Sequence, residues 1–404
     1  TITDTDCTVS SQQIREQAFT RFAILDCNMT EIKKRNRRRG RNSGGGKSDE
    51  AMHGADNNVG GSVAEYKAHN SVLVHFDEEN ATWYDYGNNL PGRNDTITSC
   101  PPSPADQSNS SLLTKYRSIG DLIYQKEVQL FGRNSSGASD ERWVENTMKK
   151  GTLKDRIAAM SVTVSTDPIH KFYSLDGLLS MVGCSESGGK TNSRVAQLTA
   201  EALEDLFINT FMPPNRKLLT MAQRPLYRYE NGKGGKKTKQ TLSPRILLLW
   251  RFEEMVKEKY DLYLRKYMAQ TLQEGAEMHK IATLKSSATF LCSIPEGESQ
   301  ILAMLANKLG DPGKKVAAAA GHQLRNVLHQ HPNMKIVIAR EVQQLAHRPH
   351  LSPKALYNCI VFLNQIKLEK AEDPPKQKTP TSQHTPESLP ASLVKTYFRL
   401  FEVA

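Results

Sequence analysis

Aromatic residues make up only 7% of these 404 residues, and hydrophobic residues of every kind only 38%. With so few large apolar side chains, the full length cannot pack into one globule, and part of the chain is expected to lack a core. No apolar run approaches the roughly 18 residues that a bilayer-crossing helix needs, so no membrane span and no membrane partner are expected. Six cysteines (Cys7, Cys27, Cys100, Cys184, Cys292, Cys359) lie far apart, and none forms a CxxC pair. A disulfide framework and a zinc ribbon are thereby disfavoured, and a reducing compartment is expected. The opening residues show no charged-then-apolar signal pattern, so the Asn-X-Ser/Thr tripeptides, such as Asn28-Met29-Thr30, are expected to stay unmodified. An opening Thr1 in place of Met is expected of a piece of a longer product.

What the sequence does have is positive charge, +11 overall, held in two places. From Glu31 to Glu50, eight basic residues face three acids, a balance of +5. From Pro213 to Gln240, eight face one, a balance of +7. The two stretches together slightly exceed the charge of the whole chain, so the remainder is close to neutral. Flexible basic segments suit polyanions, because each phosphate contact releases condensed counterions without reading sequence. Lys33, Lys34, Arg35, Arg37, Arg38, Arg39 and Arg41 are the candidates for nuclear import and RNA contact. In the second stretch Arg216, Lys217, Arg224, Arg228, Lys233, Lys236, Lys237 and Lys239 are candidates for an RNA-contact loop, with Gly232, Gly234 and Gly235 keeping the backbone free of a helix.

Residues 1–110 hold glycine clusters, an Asn/Asp-rich stretch and Pro101-Pro102-Ser103-Pro104, and are expected to be mostly disordered. Val72-Leu73-Val74 and Trp83-Tyr84 are isolated apolar clusters there, and Ser71–Phe76 reads as a short strand or docking peptide. From about Leu112 the apolar period becomes 3.6. Successive helices are predicted around Ile119–Val128, Leu153–Met160, Phe172–Leu179 and Val195–Phe207, then a long one from Arg245 to about Gln273. Further helices are predicted at Ala276–Cys292, Ser299–Leu309, Lys315–His329, Met334–Ala346 and Pro353–Leu368. Ser243-Pro244 and Ser352-Pro353 each read as an N-cap followed by proline at the first helical position. No strand alternation interrupts 151–368. Helices of this length at roughly 40 residues per pair fit an all-α HEAT/armadillo-like helical repeat solenoid, with a compact bundle as the alternative. The expected division is a polar, basic region 1–110, a helical repeat domain 112–369, a linker 370–390 and a last amphipathic helix within 391–404.

Few patterns suggest chemistry. Ser187-Gly188-Gly189-Lys190-Thr191 resembles a phosphate loop, but the glycine required five residues before Gly189 is replaced by Cys184, and the preceding segment reads as helix. An inter-helix turn is expected, with Thr191 or Asn192 capping the next helix. His322, His329, His331, His347 and His350 cluster without the cysteines of a zinc site, so no metal and no cofactor are expected. No pair of carboxylates stands in an obviously apolar frame, and no catalytic residue is assigned.

One set of segments is familiar. Gly151-Thr152-Leu153-Lys154-Asp155-Arg156-Ile157-Ala158-Ala159-Met160, Pro168-Ile169-His170, Ala202-Leu203-Glu204-Asp205-Leu206-Phe207-Ile208, Arg216-Lys217-Leu218 and Gln223-Arg224-Pro225-Leu226 together resemble the CCAAT/enhancer-binding protein zeta family of CBF-domain nucleolar-complex proteins. Leu393-Val394-Lys395-Thr396-Tyr397-Phe398 is similar to the opening of their CBF domain, which is expected to be incomplete here. The resemblance spans roughly 112–404; Ser185–Asn192, Glu230–Gln240 and the first hundred residues depart from it. It implies a non-enzymatic helical scaffold in early large ribosomal subunit assembly, located in the nucleus and nucleolus. The implied partners are a nucleolar-complex family protein, as a heterodimer, and pre-ribosomal RNA. The alternative carried by the family name is a CCAAT-promoter-associated transcription cofactor with promoter-bound factors as partners.

Overall fold

The 3.6-residue period of the sequence is realised as helix after helix. The computed structural model describes residues 69–74, 82–86, 110–135, 139–184, 192–224, 226, 242–367 and 389–403, and every regular element among them is helical. All of these residues belong to one unit. The basic run Lys33–Arg41, the glycine-rich Ser185–Thr191 and most of the linker lie outside the described residues.

The first five helices are α1 (Ser110–Ser135), α2 (Ser139–Lys150), α3 (Leu153–Thr166), α4 (Tyr173–Met181) and α5 (Ser193–Leu206). Local chemistry sets their ends. Thr152 accepts the Asp155 N–H and donates its hydroxyl to the Asp155 carboxylate at 2.7 Å, closing the first turn of α3. Asp167 ends α3 ahead of Pro168, which disfavours helical geometry in the residue before it. The Asn192 side chain accepts the Arg194 N–H and caps α5, as its position predicts. Buried Leu203, Leu206, Phe207 and Phe211 carry the apolar stripe of α5 into a π-helical turn at Phe207–Phe211.

The long rod predicted from Arg245 is present. It comprises α6 (Pro244–Leu262), a π-helical segment Tyr263–Met268 and α7 (Ala269–Glu274) without a break. Pro244 occupies its first turn, although the Ser243 hydroxyl makes no capping bond. Phe252, Val256, Tyr260, Tyr263, Leu264 and Met268 are buried along the rod. Phe252 meets Phe172 edge-on at 5.2 Å, Tyr260 meets Phe207 at 5.0 Å, and Tyr260 meets Phe290 at 5.8 Å. One rod thus joins the cores of the preceding and following helices, through aromatic pairs whose edge-to-face geometry adds to burial.

Beyond it come α8 (Glu277–Ser293), α9 (Glu298–Asn307), α10 (Lys314–Gln330), α11 (Lys335–Ala346), α12 (Pro353–Asn364) and α13 (Leu389–Val403). Chain neighbours pack as α8 with α9, α9 with α10 and α11 with α12, and alternate helices pack as α8 with α10, α9 with α11 and α10 with α12. Gly297 enters α9 at φ +71°, and a Cβ there would lie 2.9 Å from Leu264 Cδ1, so both backbone and space call for glycine. Ser352 accepts the Ala355 N–H, the cap expected before Pro353. Helix α13 packs back onto α11, burying Leu393 and Thr396.

Two short pieces of the region expected to be poorly folded are packed. Val72 and Val74 are buried, and Trp83, in a single helical turn at Trp83–Tyr86, is 2% exposed against Phe252.

Candidate nucleic-acid interface

Of the fifteen-residue candidate set, the structure describes three members: Arg216, Lys217 and Arg224. Arg228, Lys233, Lys236, Lys237 and Lys239 lie outside the described residues, as do Lys33, Lys34, Arg35, Arg37, Arg38, Arg39 and Arg41. The three described cations sit on a strap that follows the π-turn at Phe207–Phe211 and runs back along α6. Arg216 and Arg224 both reach Glu253, at 2.5 and 2.7 Å. The Arg224 guanidinium also lies 5.1 Å from the Trp250 ring centroid. Lys217 pairs with Glu298 at 2.9 Å. These charges are matched within the fold.

The strap is fixed by two neighbouring carboxylates inside the apolar stretch of α6. Glu253 accepts the Leu219 N–H at 2.8 Å besides its two arginines. Glu254, 1% exposed, accepts from Arg117 Nη2 at 2.6 Å, Arg117 Nε at 3.0 Å, Arg251 Nη1 at 3.0 Å and the Met221 N–H at 3.1 Å. Burial would raise the Glu254 pKa, but the Arg117 hydrogen bond, the Met221 N–H and the charges of Arg117 and Arg251 outweigh it, so the carboxylate sits below its ordinary value. A third acid, Glu296, takes the Leu218 N–H at 2.8 Å and pairs with Lys257 at 3.1 Å. The expectation that no carboxylates stand together in an apolar frame is therefore corrected: Glu253 and Glu254 do, because each accepts several donors. The signal was present as two adjacent acids between Phe252 and Met255, in a stretch from Ile246 to Val256 whose one other polar residue is Arg251.

A second buried acid holds the earlier segment. Glu127, fully buried on α1, accepts the N–H groups of Leu73 at 2.7 Å and Val74 at 3.0 Å, and meets His69 at 3.1 Å and His170 at 3.4 Å. The other His170 nitrogen lies 2.7 Å from Asp167, and its ring stacks on Phe131 at 4.1 Å. Burial would raise Glu127, but the bonds from His170, Val74 and Leu73 bring it below its ordinary value of 4.5. Burial would lower His170, but the bonds to Asp167 and Glu127 raise it above 6.5. The Glu127 contribution is present above pH 4.5 and is lost as pH falls through its depressed folded value. The His170 contribution is full below pH 6.5 and is lost as pH rises through its raised folded value. Hydrogen exchange at the Leu73 and Val74 amides, corrected for intrinsic rates, is expected to be slowest between about pH 4.5 and 6.5, and faster and flatter with pH in Glu127→Gln. An unchanged profile in that variant would contradict the latch.

The chemistry of reactive groups is subdued. Burial pushes the Cys184 thiol up to about 12 and the Cys359 thiol up to about 11, far from a nucleophilic thiolate. His331 bonds the Cys292 carbonyl at 3.1 Å and His329 lies in the last turn of α10. Among the described residues no group of three His, Cys, Asp or Glu side chains is placed to hold a metal. The described residues before Ser185 include helix α4, not a strand that could feed a phosphate cradle.

No family model matches the chain. Curated relatives do. It is 32% identical over 295 residues to the human protein named CCAAT/enhancer-binding protein zeta, covering 72% of this chain and 26% of that protein. It is 31% identical over 315 residues to Nucleolar complex protein 1 of Drosophila melanogaster, covering 77% of this chain and 25% of the relative. Over 310 residues it is 26% identical to the Ribosome biogenesis protein NOC1 of Chaetomium thermophilum, covering 74% and 28%. The chain spans about a quarter of the length of the curated relatives it matches.

Proposed function

Given that this chain belongs to the CCAAT/enhancer-binding protein zeta and nucleolar complex protein 1 family of nucleolar proteins, we propose that it is a non-enzymatic helical scaffold in early large ribosomal subunit assembly, binding a nucleolar-complex partner as a heterodimer and pre-ribosomal RNA. The observation that carries the reading is identity above 30% to relatives named for the nucleolus and for CCAAT/enhancer-binding protein zeta, running over about three quarters of the chain. The packing of α8 on α9, α9 on α10 and α11 on α12, with α8–α10, α9–α11 and α10–α12 contacts one helix further on, supports a HEAT/armadillo-like solenoid over 112–369. Such a stack offers an extended surface; among the described residues the Cys184 and Cys359 thiols are buried and the Glu127, Glu253 and Glu254 carboxylates are matched internally. We assign 391–404 to the opening of a CBF-type domain, joined through the 370–390 linker.

The Lys33–Arg41 run supplies import and salt-sensitive RNA contact in this reading. Replacing Lys33, Lys34, Arg35, Arg37, Arg38, Arg39 and Arg41 together with alanine is expected to move the protein from nucleus to cytoplasm, read by fluorescence microscopy of the tagged chain. Undiminished nuclear retention would defeat that assignment. Co-sedimentation with large-subunit precursors tests the scaffold itself: the chain is expected in those fractions, and its absence from them overturns the reading. The promoter reading attached to the name of the human relative requires duplex DNA to be bound by a helix in the major groove.

A further inference from the structure

Helices α11 and α13 face each other with matched spacing. Arg340, Gln343, Gln344 and His347 follow at three- and four-residue steps on α11, and Ser392, Lys395, Thr396 and Arg399 do the same on α13. Between the two stripes lies a groove of about 510 Å³. Its register is fixed: the Ser392 hydroxyl donates to Gln343 Oε1 at 3.2 Å, and the Tyr397 hydroxyl donates to Asn364 at 2.6 Å.

No carboxylate lines this groove. Arg340 and Arg399 are exposed, and neither has a salt-bridge partner among the described residues. Burial first, and the Arg399 charge second, lower the His347 pKa, so cations of α13 reach the α11 wall and His347 is neutral at pH 7. Gln343 is 7% exposed, and its amide nitrogen is buried with no hydrogen-bond partner. Leaving such a donor unmatched is destabilising, and an arriving acceptor relieves it. The groove is therefore lined by donors and cations, of which Arg340 and Arg399 have no carboxylate partner and the Gln343 amide nitrogen no acceptor among the described residues.

We propose that the α11–α13 groove binds the phosphodiester backbone of single-stranded RNA, with Arg340 and Arg399 on phosphates and Gln343 as the neutral donor between them. Cations on both walls, Arg340 on α11 and Lys395 and Arg399 on α13, fit a chain of phosphates. Guanidinium groups suit phosphate because they offer paired donors. The inference deepens the scaffold reading and rests on it, by naming where RNA is held on the folded body.

The test uses the full chain and a fluorescein-labelled oligouridine of about fifteen nucleotides, followed by anisotropy across a salt series. The Arg340→Gln/Arg399→Gln double variant is expected to lower the slope of log affinity against log salt by about 1.4, at roughly 0.7 per single-strand phosphate contact. At 0.1 M salt that corresponds to roughly 25-fold weaker binding. The same drop is expected in the background of the seven-alanine Lys33–Arg41 variant, which removes any contribution of that run. Ultraviolet crosslinks from oligouridine to peptides of α11 and α13 in the unsubstituted chain give a readout that does not depend on a variant folding. Equal binding by the double variant, or crosslinks lying wholly elsewhere, overturns the groove and leaves the scaffold reading standing. No RNA binding by the unsubstituted chain overturns both. Preference for polyglutamate over RNA, lost in the double variant, overturns the assignment to RNA.

Discussion

Glu254→Ala is expected to destabilise the helical body by about 3–5 kcal/mol, the usual consequence of removing one partner from a buried ion pair. Glu254 gathers donors from three parts of the chain: Arg117 of α1, Arg251 one turn back on α6, and the Met221 N–H of the strap. Arg117 is 40% exposed at its side chain and can turn to water. Arg251, at 13%, keeps Asp121 and Glu258 but loses its most buried partner. The Met221 N–H loses its Glu254 acceptor, and an unmatched buried donor is costly. Glu254→Gln preserves the shape and one acceptor and is expected to lose less. Denaturant titration followed by circular dichroism measures both; a loss below about 1 kcal/mol for the alanine variant would show that the carboxylate does not hold α1, α6 and the strap together.

Trp83→Ala is the other large effect, at about 3–5 kcal/mol. The indole is 2% exposed, meets Phe252 edge-on at 5.2 Å and donates its N–H to the Phe211 carbonyl at 3.2 Å. Truncation empties a site between the rod and the π-turn and leaves that carbonyl without its donor. Trp83→Phe refills most of the volume without the N–H and is expected to recover more than half of the loss in the same titration. Stability unchanged in the alanine variant would mean that Trp83 lies on the core without contributing to it.

The helices were legible because apolar residues recur at three- and four-residue steps, and their ends because capping side chains and prolines are local signals. The Asn192 cap, Ser352-Pro353 and the rod beginning at Pro244 all stand where spacing puts them. What escaped depends on partners distant in sequence. Glu127 on α1 reads as one more polar helix residue until Leu73 and Val74, more than fifty positions earlier, bring their N–H groups to it. Trp83 reads as an isolated aromatic because Phe252 lies far along the chain. Helix α2 carries few apolar residues and rests on α3 through buried Met148 and an Arg156 bond to the Met148 carbonyl at 3.0 Å, so its own period is faint. The π-helical turns bury Phe207, Phe211, Tyr263, Leu264 and Met268, and no residue in them has a local preference that marks such a turn. Arg216, Lys217 and Arg224 count as basic charge in composition, but charge counting does not reveal that Glu253 and Glu298 meet them. The groove needs α11 and α13 side by side, about fifty residues apart, and neither helix alone is strongly basic.

The scaffold account is tested most directly by crosslinking the protein to nucleic acid in cells and sequencing what is bound. Reads from ribosomal precursor RNA are expected to dominate, and to fall in the Arg340→Gln/Arg399→Gln variant. Promoter DNA recovered in place of precursor RNA would contradict the account.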